Sequence, residues 1–164
     1  MSTGRTHRYA VDVTWTGNRG TGTSSYRDYG REHDVSVAGK PLLVGSSDPA
    51  FRGDPGRWNP EELLVTALAQ CHLLSYLHLA VKAGVVVVDY TDSAIGTMVQ
   101  DDVGDGGQFA EVILRPVVTV AEAAMADAAN ALHADVAAVC FITRSVNFPV
   151  HHEPTVSVAA PADL

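Results

Sequence analysis

The chain has 164 residues, a formal net charge of −8, and 46% apolar against 18% charged residues. That length suits one domain, 1–164, with room for a sizeable core, and the composition is that of a soluble globular protein. The acidic balance argues against nucleic acid as a partner, because a phosphate backbone asks for a basic face. The N-terminal stretch MSTGRTHRYAVDV has no apolar h-region, so no secretory signal is visible. Two cysteines without such a signal point to a reducing, cytoplasmic setting and to free thiols or a redox pair, not a disulfide scaffold.

In chain order, His7 to Trp15 is expected as a strand, with Tyr9, Val11, Val13 and Trp15 alternating against polar neighbours. TGNRGTG, Thr16 to Gly22, is a loop with Arg19 as its only charge. Ser24–Tyr29 and His33–Val37 are expected as further short strands. From Gly39 to Pro60 prolines and glycines crowd the chain, which predicts a long loop with one short strand at Leu42–Gly45. A connection of that length is often functional, and Phe51 and Trp58 are aromatics available to line a site.

The stretch NPEELLVTALAQCHLLSYLHLAVKAG, Asn59 to Gly84, organises the rest. Asn59 is a good N-cap and Pro60 a good first residue, and Glu61 and Glu62 suit the positive end of the helix dipole. Glu62 also stands in capping-box register with Asn59. Gly84 is a stop, with Lys82 in the last turn. No charge falls between Leu63 and Val81, so the helix is expected to be long, central and buried nearly all round, with Cys71 at its middle. A membrane span is the poorer reading: Thr66, Gln70, His72, Ser75 and His78 interrupt the run, and no basic flank sets an orientation.

Val85 to Gln100 is β-rich, DDVGDGG at Asp101–Gly107 is a hairpin turn, and Gln108–Val120 is the return strand, with Pro116 marking an edge or bulge. Thr119 and Glu122 have capping-box spacing and predict a helix from Ala121 to about Leu132. A second helical stretch, from about Ala134 to Ser145, contains Cys140. Phe148–Pro154 is expected as a loop and Thr155–Ala159 as a last strand. The order predicts an α+β fold, with helices on antiparallel sheets.

Candidate chemistry is sparse. Free cysteines are commonly small core residues, which is the plain account of Cys71 and Cys140. An active role needs a thiolate and therefore a nearby cation; Cys71 is too far inside its helix for the helix end to serve. Arg19 is one candidate cation, although spacing alone makes none of these residues neighbours. Capping accounts for both glutamates, but Glu62 is the better capper by register. That leaves Glu61 freer to orient an arginine through a bidentate pair. No metal site is expected: His72 and His78 do not share a helix face, and neither HExxH nor CxxC occurs. TGNRGTG is not a phosphate-binding loop, and Ser75 lacks a nucleophile elbow.

Three stretches, in order and consistently spaced, resemble the OsmC/Ohr family of thiol-dependent hydroperoxide reductases, and the resemblance covers most of the chain. They are VTWTGNRGTG near the N-terminus, WNPEELLVTALAQC from Trp58 to Cys71, and CFITRSVNFPV from Cys140 to Val150. DPAFRGDPGRW is closer to the OsmC branch. The resemblance implies that Cys71 is the peroxidatic cysteine and Cys140 the resolving one. It implies that Arg19 stabilises the thiolate and the departing oxygen, and that Glu61 holds that arginine. It further implies an intertwined homodimer whose central helices pack together, a hydroperoxide substrate, a dithiol reductant such as dihydrolipoyl groups, and no cofactor. Phe141 stands where the Ohr branch commonly has proline, which bears on the reductant. A register shifted along the chain would put Arg27 or Arg31 in the place of Arg19. Two other functions fit the same residues: a non-catalytic binding or stress protein of this fold with buried cysteines, and a cysteine-pair redox sensor.

Overall fold

A computed structural model describes residues 4–160. The chain divides at Leu63 into two compact units.

The first unit is a three-stranded antiparallel sheet, β1 (Asp12–Trp15), β2 (His33–Ser36) and β3 (Leu43–Gly45), in that order. Trp15 stands opposite His33, and His33 opposite Gly45. The indole N–H of Trp15 donates to the Gly30 carbonyl at 2.9 Å. Gly17 is required there, since a Cβ would run into that same carbonyl. The expected strand at Ser24–Tyr29 is instead a run of turns. Arg31 explains it: its guanidinium sits 4.4 Å from the Tyr26 ring and 4.0 Å from the Tyr29 ring, and donates to both residues' carbonyls. Those carbonyls are thereby withheld from a ladder. β1 is shorter than its alternating pattern predicts.

α1 runs from Pro60 to Lys82. Its start is the expected capping box: Glu62 N–H donates to Asn59 Oδ1 at 2.8 Å, and Asn59 N–H to Glu62 Oε2 at 3.2 Å. Its end is a Schellman turn, with Gly84 at φ +72° and the Val85 N–H returning to the Ala80 carbonyl. By length and composition α1 would suit a membrane span. Its His72 and Tyr76, however, are buried against the second helix, where they make hydrogen bonds. Burial all round is not what one chain displays. Leu68, His72, Tyr76 and Ala80 form a buried stripe, whereas Leu74 is 65% and Val81 79% exposed.

The second unit holds two three-stranded sheets, β4-β7-β9 and β5-β6-β8. The strands are β4 (Val87–Asp92), β5 (Ile95–Gln100), β6 (Gly107–Leu114), β7 (Pro116–Val120), β8 (Val150–His152) and β9 (Thr155–Val158). The single return strand expected over Gln108–Val120 is therefore two, β6 and β7, in different sheets. Arg115 is the break. Its N–H leaves the ladder for Asp92 Oδ1 at 2.7 Å, and Pro116, with no N–H, begins β7. Pro116 is a buried strand start, not an edge.

The C-terminal third corrects more. Thr119 caps nothing, because its hydroxyl pairs with Ser157 across β7 and β9. A 3-10 turn, Ala123–Met125, leads into one helix, α2 (Ala126–Val139), instead of two helical stretches. Cys140 is already extended, and only a 3-10 turn, Thr143–Ser145, follows. The expected loop at Phe148–Pro154 contains β8. β8 and β9 pair parallel with β6 and β7, so the sheets are mixed instead of antiparallel. Parallel pairing needs a long crossover, and the chain through α2 supplies it. One core gathers Tyr76, Val118, Val120, Ala129, Val136 and Cys140; a second gathers Leu68, Val112 and Leu114.

Candidate functional site

α1 and α2 bring the two cysteines together. Cys71 lies half-buried in mid-helix on α1, and Cys140 lies fully buried just past the end of α2. Their sulfurs are bonded, with Cα atoms 5.7 Å apart, a separation typical of disulfides. Cys140 Sγ also accepts from the Thr143 N–H at 3.4 Å. The helix stops at Val139 and the chain turns through Thr143, which sets the sulfur against α1.

The two charged candidates have different surroundings. Arg19 lies on the loop after β1, where its guanidinium stands 3.8 Å from Glu32 Oε1; its side chain is 62% exposed. Asn18 Oδ1 shapes that loop by accepting from the N–H groups of Gly20 and Gly22. Glu61 lies in the first turn of α1. Among the described residues it makes no ion pair, and its Oε2 is buried without a hydrogen-bond partner. In this chain the carboxylate beside Arg19 is thus Glu32. α1 is unbroken, so Glu61 and Cys71 stand about 15 Å apart along its axis. Arg57 has a buried Nη1 without a partner, while its Nε is 3.6 Å from Asp54. Arg27 and Arg31 also lie close in sequence, but Arg31 is committed to the tyrosines.

Sequence reasoning missed a histidine cluster beside the cysteines. His72 Nε2 and His133 Nδ1 are 3.0 Å apart across α1 and α2, with their rings nearly parallel. His152 of β8 lies 5.8 Å from the His72 ring and 6.1 Å from the His133 ring. The rings stack instead of converging, and among the described residues no group of three or more His, Cys, Asp or Glu is placed to hold a metal ion. Burial first, then the neighbouring His152, lowers the His72 pKa to about 4. Burial, then His72 and His152, lowers that of His133 to about 4 as well. The one signal in the sequence is spacing: His133 precedes Cys140 by two helical turns, which puts both on one face.

A family model described as OsmC-like protein matches residues 53–155. Among solved structures, an OsmC-like protein of unknown function from Vibrio cholerae is 26% identical with a TM-score of 0.79, over 91% of this chain and 99% of that one. An organic hydroperoxide resistance protein OsmC from Legionella pneumophila is 21% identical with a TM-score of 0.66, over 93% of this chain and 100% of that one. An organic hydroperoxide resistance protein from Elizabethkingia anophelis, with thiocyanate bound, is 18% identical with a TM-score of 0.64, over 94% and 100% respectively. The last two likenesses concern the fold alone. No curated protein matches the sequence.

Proposed function

Since the chain belongs to the OsmC-like protein family, whose model spans residues 53–155, we propose that it is a thiol-dependent peroxidase that reduces organic hydroperoxides through Cys71 and Cys140. The observation that carries this reading is the pair itself: residues separated by 69 positions have their Cα atoms 5.7 Å apart. Two thiols that merely filled a core would have no need of that distance. The names of the Legionella and Elizabethkingia structures point to the same substrate class.

In this reading the Cys71 thiolate attacks the distal oxygen of the hydroperoxide. The O–O bond breaks, the alkoxide takes a proton and leaves as an alcohol, and Cys71 becomes a sulfenic acid. Cys140 Sγ then attacks the Cys71 sulfur. The S–O bond breaks, the hydroxide leaves with the Cys140 proton as water, and the disulfide forms. An external dithiol, dihydrolipoyl groups being the proposed source, reduces it by exchange and is itself oxidised. A reducing compartment suits that step.

Arg19 is assigned to the thiolate and the departing oxygen, and Glu61 to the orientation of Arg19. Its pairing with Glu32 is exposed and long, and an exposed pair of this kind is worth about 0–1 kcal/mol, so little holds Arg19 there. A homodimer is part of the reading. It is supported by the apolar side chains that α1 leaves exposed and by the unpartnered buried oxygen of Glu61. The test is to titrate the reduced protein with an organic hydroperoxide. One equivalent should consume both thiols and yield the Cys71–Cys140 disulfide by mass mapping. Cys71→Ser should lower turnover with a dithiol by at least about 1,000-fold, and Cys140→Ser should accumulate a trappable sulfenate at Cys71. Undiminished turnover in Cys71→Ser would end the proposal.

A further inference from the structure

Three rungs tie α1 to α2. Cys71 meets Cys140, His72 Nε2 meets His133 Nδ1 at 3.0 Å, and the Tyr76 hydroxyl donates to the Ala129 carbonyl at 2.9 Å. Residue numbers rise on α1 as they fall on α2, so the helices run antiparallel and the rungs share one seam. The middle rung is polar yet closed off, with His72 4% and His133 1% exposed. The His133 ring stacks on Tyr76, with centroids 4.2 Å apart and planes at 17°. Its Nε2 is buried without a partner, and the ring borders a cavity of about 10 Å³, room for about one water. Thr143, whose N–H meets Cys140 Sγ, borders the same cavity. The peroxide chemistry above uses neither histidine.

We propose that His72 and His133 are a positioning pair for the cysteine couple: their hydrogen bond holds α1 and α2 in the register in which the two sulfurs meet, and so sets how readily the dithiol closes. The inference rests on the reading that this couple opens and closes. Closing a disulfide within a chain is favoured in proportion to how well the thiols are held together beforehand. Once the sulfur rung is open, the histidine rung is the next tie along the seam. Removing it would leave a buried nitrogen unpaired and free the helices to shift.

The same rung links the couple to pH. The groups facing it are Tyr76 on α1, the cysteines themselves, and His151 and His152 on β8. His151 lies 3.7 Å from Glu111 of β6. No carboxylate among the described residues pairs with either ring of the rung, so nothing there offsets a positive charge. The rings are neutral while the seam is closed, and opening the sulfur rung leaves the seam with one tie fewer, so the dithiol admits a proton to the rings more readily than the disulfide does. Acid therefore favours the open dithiol.

The test is the exchange equilibrium between the protein couple and dithiothreitol, read by thiol alkylation and mass spectrometry from pH 7 to pH 5. Two thiols stand on each side, so the constant changes with pH only through groups that ionise differently in dithiol and disulfide: a Cys71 thiolate, which makes it rise as pH falls, and the histidine rung, which makes it fall. Set against the His133 variants, which carry the same two thiols, the wild-type constant for disulfide formation is expected to fall at least threefold over that range. His133→Phe keeps the ring and removes both nitrogens; at pH 7 its constant should be about tenfold lower, without the fall in acid that the rung adds. His133→Asn, which sets an amide atom where Nδ1 stands, should return to within about threefold of wild type. A wild-type profile parallel to that of His133→Asn overturns the proposal even where the Phe variant does not fold. So does a Phe variant equal to wild type, or an Asn variant as low as Phe. No peroxide enters the measurement. A protein inert to hydroperoxide that keeps this linkage refutes the peroxidase reading alone; one that turns over peroxide with wild-type and His133 variant profiles parallel refutes the positioning pair alone.

Discussion

The cysteine pair and the two charged candidates, Arg19 and Glu61, are held in opposite ways. Cys71 projects from α1 and Cys140 from just past the end of α2, the contact between the helices is closed by hydrogen-bonded rungs, and Cys140 is fully buried. Arg19 sits on an exposed loop with a long ion pair, and Glu61 opens α1 with an unpartnered oxygen. The helix seam fixes its groups within one chain. The loop and the helix start constrain theirs far less. A pair of atoms that has to bond is best held by packing, whereas in the proposed reading a charge that acts on an incoming oxygen has to be free to meet it.

The sharpest way to break this comparison is to open the sulfur rung. A cross-link closing a separation of 69 residues removes, in the chain-entropy account, about 4 kcal/mol of unfolded-state freedom. Reduced wild type should therefore unfold in urea with a stability about 4 kcal/mol below the oxidised protein. A difference under about 1 kcal/mol would mean that the seam is held by its other rungs, and that the disulfide is thermodynamically incidental.

Acid acts on the second rung. The folded pKa of both His72 and His133 lies near 4, below the ordinary value of 6.5. Between those values the unfolded chain binds more protons than the folded one, so stability falls as pH falls and levels off below about 4. Each ring adds a slope of up to about 1.4 kcal/mol per pH unit. Unfolding of the oxidised protein at pH 7, 6 and 5 checks the sign, and His133→Phe should flatten the slope. Stability that rises between pH 6 and pH 5 would contradict the neutral pair.

The same division explains what was legible in the sequence. α1 was readable to within a residue or two because Asn59, Glu62 and Gly84 act locally, through caps that need no tertiary partner. The cysteine pairing was legible only through family resemblance, because no spacing rule joins positions so far apart. The split at Arg115 was hidden because its cause, Asp92, lies on another strand. β8 was hidden because a three-residue segment in the short run from Pro149 to Pro154 becomes a strand only once the edge of β6 is available. The histidine rung stayed invisible for the same reason. His72 and His133 acquire meaning when two helices cross.

The smallest effect tests the charged candidates directly. Arg31 has a structural post: it stacks on Tyr26 and Tyr29 and donates to their carbonyls, so Arg31→Ala should loosen the loop and lower stability. Arg19 has no such post, being exposed with one long contact. Arg19→Ala should therefore change stability by less than about 0.5 kcal/mol. It should lower hydroperoxide turnover roughly ten- to a hundredfold, through loss of a donor at the thiolate and departing oxygen. Arg19→Lys keeps the charge without the planar fork, and should recover only part of the rate. Steady-state turnover with a dithiol, set beside urea unfolding of the same variants, separates the two arginines. If Arg31→Ala lost turnover at unchanged stability and Arg19→Ala lost nothing, the assignment would pass to Arg31. The exposed loop would then have no part in the chemistry, and the contrast between a fixed cysteine pair and a free charge would be wrong.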